Sequence, residues 1–378
     1  MMKISYDAKR AFQNNRGLGN YSRNLLDGMI RFYPENKLTL YGVSPQNNFA
    51  SEWIKRIENK LTIEQPVNSC KLYQAYWRSF GINNNIKNNT PDIFHGLGQE
   101  LPRGKKIENV KYIVTIHDLL IYRIKDLFNP IDRKIYEIKI KAACKKADLI
   151  LAISKQTKSD IINYLNVPEE KIVIGYQSCS SRFYDDIDVS KKISVKEKYN
   201  LPDKYLLYVG ALIKHKNVKL IIEAISILHE DSKIPLVIVG NGESYKKELL
   251  KQISLLNLTK RVLFLDYVPD IDISTIYQLA TIFVWPSFFE GFGIPILEAM
   301  FSNTPVITSK GGCFSEVGGN AAKYINPNDK EELAYTIENI LSDEKILKEM
   351  QSKGREQALN FHIKNTTERM NQIYSSLL

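Results

Sequence analysis

The stretch Trp285-Pro286-Ser287-Phe288-Phe289-Glu290-Gly291-Phe292-Gly293-Ile294-Pro295-Ile296-Leu297-Glu298-Ala299-Met300 decides how the chain is read. An apolar β-rich run ends at Pro286, a glycine-containing loop follows, and Pro295 stands where a helix begins. Proline suits the start of a helix because its missing N–H has no intrahelical partner there. Gly291 and Gly293 let the backbone approach a ligand closely. The N–H groups of the loop and helix start, aided by the helix dipole, suit hydroxyls or phosphate. Glu290 lies in the loop and Glu298 about one turn into the helix, with seven residues between them. A single first-turn glutamate is favoured without any ligand. Two carboxylates flanking Gly-Phe-Gly-Ile-Pro point instead to two grips on one polyhydroxylated ligand.

Outward from this stretch, short apolar runs alternate with helical patterns. Lys3–Asp7, Lys37–Gly42, Asp92–His95, Tyr112–His117, Asp148–Ser154 and Lys171–Tyr176 read as strands in the first half. Tyr205–Val209, Pro235–Val239, Val262–Leu265, Ile282–Trp285, Pro305–Thr308 and Lys323–Ile325 follow in the second. Helical patterns such as Gly19–Phe32, Asp132–Lys146, Val218–Leu228 and Glu331–Leu341 fill the gaps. Buried β-branched runs alternating with helices predict α/β architecture with parallel sheets covered on both faces. A dozen strands suit two Rossmann-like, doubly wound domains. The polar stretch around 180–200 places the division: an N-terminal domain over 1–185, a linker over 186–203 and a C-terminal domain over 204–360. Residues 361–378 read as a helix packing back on the first domain.

Length and composition narrow the class. The 378 residues are 44% hydrophobic and 25% charged, ordinary globular values that exclude a disordered or collagenous chain. No apolar run approaches the ~18 residues of a membrane span. Residues 1–7 lack the basic and apolar regions of a secretory leader. Cys70, Cys144, Cys179 and Cys313 are scattered, without a CxxC, so neither a disulfide framework nor a zinc site is indicated. These features predict a cytoplasmic protein. The net charge of +10 is unevenly placed: residues 1–190 hold 29 basic and 20 acidic side chains, leaving +1 for the remainder. Such asymmetry suits an anionic partner or a solvated lysine-rich surface.

Other strand ends carry polar groups at the edge where open α/β sheets bind ligands. Tyr208-Val209-Gly210-Ala211-Leu212-Ile213-Lys214-His215-Lys216-Asn217 runs from strand to loop to helix, and a lysine there can neutralise a leaving diphosphate. In Arg16-Gly17-Leu18-Gly19-Asn20-Tyr21, Gly17 and Gly19 open a helix and can cradle phosphate or sugar. His117 follows the run Thr115-Ile116, with Asp118 beside it to orient the ring or cap the next turn. His95 occupies an analogous strand end and is a candidate acceptor-side residue.

Together these residues resemble the retaining nucleotide-sugar glycosyltransferases of family 4, which have the GT-B fold: two Rossmann-like domains facing a cleft. Glu290-x7-Glu298 is that family's signature, and Pro305–Ser309 and Glu316–Ala322 resemble its next strand and loop. The resemblance extends through Ala147–Ser154 and Lys171–Ile174, and looks nearest to bacterial mannosyl- and rhamnosyltransferases of surface-polysaccharide assembly. It implies that Glu290 contacts the transferred sugar and Glu298 the ribose diol. Gly291, Phe292, Gly293 and Ile294 would meet sugar and phosphate through their backbone, Lys216 would bind the diphosphate, and His117 would lie beside the sugar. Gly17 and Gly19 match the family's glycine-rich loop. At Ala211, where many members carry arginine, the sequence departs, leaving Lys214 or His215 as substitutes.

The resulting expectation is a retaining, metal-independent hexosyltransferase using no cofactor, with GDP-mannose favoured over a UDP-hexose as donor and a glycan or lipid-linked glycan as acceptor. Asp270-Ile271-Asp272 reads as a helix start rather than a metal motif. The alternatives are a nucleotide-sugar epimerase of the same architecture and a nucleic-acid-binding protein; the second is disfavoured because basic and aromatic residues are not interleaved. Within 129–146, Arg133, Lys134, Lys139, Lys141, Lys145 and Lys146 face two acids, while Ile131, Ile135, Ile138 and Ala142 recur at helical spacing. This predicts an amphipathic helix with a cationic face, suited to peripheral contact with an anionic membrane at the inner face of the cell.

Overall fold

A computed structural model describes every residue except 15–16, 46–47 and 69. The chain forms two compact units, residues 1–178 with 363–378, and residues 179–362.

Unit 1 holds seven parallel strands: β1 (Lys3–Asp7), β2 (Lys37–Tyr41), β3 (Thr62–Glu64), β4 (Ile93–Gly96), β5 (Lys111–Ile116), β6 (Leu149–Ala152) and β7 (Ile172–Ile174). Their order is β3-β2-β1-β4-β5-β6-β7. Alternation along each strand divides the core between the two faces. Ile113 joins Ile4, Tyr6, Leu25, Leu26 and Met29 in one cluster, whereas Val114 and Ile116 pack with Ile140, Ala143 and Ile150 in another. The three-residue β3 is too short and too exposed to show a strand pattern in the sequence.

Helix Ile363–Ser375 belongs to this unit. Its Met370, Ile373 and Tyr374 sit in the same cluster as Ile4 and Tyr6. It lies so close to helix Gly17–Phe32 that a Cβ on Gly28 would fall 2.1 Å from the Thr367 hydroxyl. His95, a candidate acceptor-side residue by sequence, is instead sealed in this core. Its Nδ1 lies 2.7 Å from the Tyr374 hydroxyl and its Nε2 2.7 Å from that of Thr115. Burial, helped by His117, lowers its pKa to about 3, so the ring is neutral.

Unit 2 holds β8 (Leu206–Val209), β9 (Leu236–Val239), β10 (Val262–Leu265), β11 (Ile282–Trp285), β12 (Val306–Ser309) and β13 (Lys323–Ile325), ordered β10-β9-β8-β11-β12-β13. All ladders are parallel. The chain enters this unit at Cys179 rather than at 204, and the expected linker over 186–203 belongs to it. That segment holds helix Val189–Lys198. Lys191 and Lys198 pair with the buried carboxylate of Asp272, the second contact at 2.7 Å, and the Tyr199 hydroxyl donates to it at 2.9 Å. Asp270 opens helix Asp270–Leu279.

Burial pushes the Asp272 carboxyl up, but the donors outweigh it and hold its pKa at about 2, below the ordinary 3.8. The stabilisation is therefore complete above pH ~4 and is lost as pH falls through about 2. Asp272→Asn is expected to lower unfolding stability at pH 7 by about 1–3 kcal/mol. In urea titrations the difference from wild type should shrink steadily between pH 4 and 2.

Candidate functional site

In unit 2, β8 and β11 are neighbours at the point where strand order reverses, and ligands of doubly wound sheets bind at such points. The loops after these two strands carry Lys216 and Glu290. Asn217, in the left-handed conformation with φ 59°, joins them. Its side-chain amide donates to Pro286 O at 3.1 Å and Pro327 O at 2.8 Å, tying together the loops after β8, β11 and β13. Phe288 N donates to His215 O at 2.9 Å, and Ser309 Oγ donates to Ser287 O at 2.7 Å.

On this frame Lys216 Nζ forms an ion pair with Glu290 Oε1, and both side chains are largely enclosed. Ser287 Oγ lies 2.7 Å from the same carboxylate oxygen. The ammonium also stands 4.9 Å from the Trp285 ring centroid, and that ring stacks on Tyr208 at 5.1 Å. A Cβ on Gly210 would lie 2.6 Å from Trp285, so this glycine makes room for the indole. The arrangement holds one cation and one carboxylate at a strand edge, each able to exchange its partner for a ligand group of the opposite charge or a hydroxyl.

Gly293 has φ +118° and precedes helix Ile294–Phe301, with Pro295 in the first turn. Phe292 is buried edge-on against Phe361. Glu298 faces a different environment, accepting from the Tyr277 hydroxyl at 2.9 Å. Burial raises its pKa to about 7; the Tyr277 bond and Arg182 oppose this, and Asp270 adds to it. Arg182 itself pairs with Asp270 at 2.7 Å. Tyr277, Ser287 and Arg182 are the site residues the sequence does not announce, because hydroxyls on a helix or loop and an arginine far along the chain follow no local spacing.

The two candidate substitutes for the arginine absent at Ala211 stand in different surroundings. Lys214 is exposed and reaches Glu248 at 3.4 Å. His215 has its pKa lowered by burial and by Lys216, with Glu290 opposing. Its Nδ1 is buried with no hydrogen-bond partner among the described residues.

Unit 1 holds the remaining candidates. His117 is buried at the end of β5. Its Nε2 donates to Leu97 O at 2.8 Å, and its Nδ1 lies 3.0 Å from the Gln177 amide nitrogen. Both ring nitrogens are thus engaged, and burial lowers its pKa to about 4. Asp118 accepts from Leu120 N at 3.1 Å, the turn-capping alternative. The expected loop at Gly17 and Gly19 is already helix, since Gly17–Phe32 is one continuous element; Arg16 lies outside the described residues. A Cβ on Gly19 would fall 1.7 Å from Asn14 O. Gly19 therefore serves a close approach of the chain to itself.

Two all-parallel Rossmann-like units are the architecture of the GT-B class of glycosyltransferases. Family models agree: glycosyl transferases group 1 over residues 189–357 and glycosyltransferase family 4 over residues 16–177. The chain belongs to the family-4 glycosyltransferases and is a hexosyltransferase. It is 32% identical over 290 residues to O-antigen chain mannosyltransferase B of Escherichia coli, covering 75% of this chain and 74% of that one. It is 34% identical over 227 residues, 60% of each chain, to O-antigen chain mannosyltransferase RfbU of Salmonella typhimurium. Among solved structures it resembles HepE of Anabaena in complex with UDP and glucose, with a TM-score of 0.76 at 17% identity over all of both chains.

The Glu298 carboxyl has a thermodynamic signature. Its folded pKa lies above the ordinary 4.5, so ionisation opposes folding: the penalty is absent below pH ~4.5, grows towards pH 7 and is complete above it. Glu298→Gln should therefore be more stable than wild type at pH 8, by about 1–3 kcal/mol, and equal to it near pH 4. Thermal unfolding midpoints across this range check the sign.

Proposed function

We propose that the protein transfers mannose from GDP-mannose to a growing surface glycan or lipid-linked glycan, with retention of anomeric configuration and without a metal ion. The observation that carries this reading is the Lys216–Glu290 pair at the switch point, with Glu298 on the helix that follows. The mannosyltransferase names of relatives at about a third identity support the sugar. Those relatives are transferases, and none of them favours the epimerase alternative.

In the proposed reaction the donor diphosphate displaces Glu290 from Lys216, whose ammonium takes up the charge that develops as the anomeric C–O bond breaks. Glu290, released, accepts from hydroxyls of the transferred sugar, and Ser287 keeps its carboxylate oriented. Glu298 binds the ribose diol in its ionised form. The acceptor hydroxyl attacks from the face on which the diphosphate departs, and its proton passes to the leaving phosphate oxygen. His117, neutral and held through both nitrogens, lines the sugar rather than shuttling a proton. Asp272, engaged by two lysines and a tyrosine, leaves the Asp270-Ile271-Asp272 segment without the pair of carboxylates a metal–diphosphate bridge needs. On this reading the enzyme works in the cytoplasm, in peripheral contact with the inner face of the membrane that carries its acceptor.

A panel of GDP- and UDP-sugars, read by thermal stabilisation and by product analysis, tests the assignment. GDP-mannose should stabilise most and be consumed only with acceptor; conversion to another nucleotide sugar without acceptor would instead reveal an epimerase. Lys216→Ala should lower turnover about a hundredfold. Glu298→Ala should weaken donor binding by about 1.5–3 kcal/mol, whereas Glu290→Ala should act mainly on turnover. Titration calorimetry and steady-state kinetics separate the two effects, and unchanged donor affinity in Glu298→Ala would remove it from the ribose site.

A further inference from the structure

Helix Pro130–Lys146 has two apolar faces, and the one singled out by sequence is not the one that packs. Tyr136, Ile140, Ala143 and Cys144 hold the helix to Val114, Ile116 and Ile150 of the sheet. Ile131, Ile135 and Ile138 point outward, 69%, 49% and 55% exposed, and exposed Ala142 continues their line. Their spacing of four, three and four residues makes one stripe along the helix. Lys134, Lys141 and Lys145 are exposed beside it. Of the helix's two acids, Glu137 is matched by Lys134 at 3.4 Å and Lys141 at 2.5 Å, and Asp132 stands in the first turn.

Unit 1 carries a second exposed apolar stripe. In the 71–81 segment Leu72, Tyr76 and Phe80 are exposed at four-residue intervals. Arg78 of that segment and Lys139 of the helix both pair with Glu100, which sets the two elements side by side. The Arg103 guanidinium stands 6.0 Å from the Phe80 ring. Unit 1 as a whole holds 30 basic and 18 acidic side chains, a net +12, whereas unit 2 holds 22 and 24. Among the described residues no helix is long and apolar enough to cross a membrane.

We propose that this surface is a bilayer contact: the isoleucine stripe enters the headgroup–acyl boundary of an anionic leaflet while the flanking lysines meet lipid phosphates. The inference rests on the peripheral membrane placement above and adds the residues that make the contact and its apolar character. Aliphatic residues bordered by lysines match helices that lie in a membrane interface. Lysine is depleted from protein–protein interfaces, so the same pattern speaks against a protein partner. Insertion supplies the part of the affinity that salt does not screen, and the lysines supply the part that it does.

Co-sedimentation of the full chain with phosphatidylcholine vesicles, with and without phosphatidylglycerol, decides the matter in the absence of donor and acceptor. Wild type should pellet with the anionic vesicles, weaken as salt rises, and keep a salt-resistant fraction. The combined Ile131→Ser, Ile135→Ser, Ile138→Ser variant should lose at least tenfold in partitioning at every salt concentration. Its turnover on a water-soluble acceptor should stay at the wild-type level, so a failure here is separable from a failure of the transferase reading. The combined Lys134→Gln, Lys141→Gln, Lys145→Gln variant should lose mainly the salt-sensitive fraction. Ile135→Trp should shift its emission to the blue only with vesicles. Wild type remaining in the supernatant, or the isoleucine variant pelleting equally well, would overturn the proposal. So would light scattering showing that this variant turns a dimer into a monomer, which would assign the stripe to a second copy of the chain.

Discussion

The side-chain amide of Asn217 is the small interaction on which the second unit's site depends. Two hydrogen bonds to Pro286 O and Pro327 O draw three loops to one point of the sheet edge. The residue sits in a left-handed conformation that asparagine tolerates better than most side chains. That turn ends the loop after β8 just where Lys216 must meet Glu290. The cation and carboxylate are set by backbone geometry rather than by their mutual attraction alone, so the frame can survive when a ligand separates them.

The two carboxylates of the signature stand in different surroundings. Glu290 is supplied with a cation and a hydroxyl, from Lys216 and Ser287. Glu298 receives one phenolic hydroxyl and is otherwise buried, which favours its neutral form. The sequence shows both glutamates and their spacing, but not this difference, because Tyr277 and Arg182 reach the site from other parts of the chain.

Most strands were legible because parallel strands buried on both faces form continuous β-branched runs, as in Tyr112–Ile116 and Leu236–Val239. Strand Thr62–Glu64 was not, since an exposed edge of three residues has no pattern to show. His95 and His117 look alike in sequence, each near a strand end. Only the helix arriving from residues 363–375 distinguishes them, by covering the first. Periodicity likewise located the isoleucines of 131–138 without revealing their direction: a helix with two apolar faces offers two equally regular solutions, and packing against Val114 and Ile116 selects the other one.

The return of the last helix to the first unit bears on the order in which the chain can be made and folded. Residues 179–362 form a continuous segment with its own core. The first unit lacks Met370, Ile373 and Tyr374 until residues 363–375 have been made, and with them the hydroxyl that meets His95. On the ribosome, the portion translated first is therefore completed last, and the second unit can mature while the first still holds an open seam along helix Gly17–Phe32. A nascent chain stalled before residue 363 would expose that seam to chaperones, whereas a chain that includes helix Ile363–Ser375 closes it.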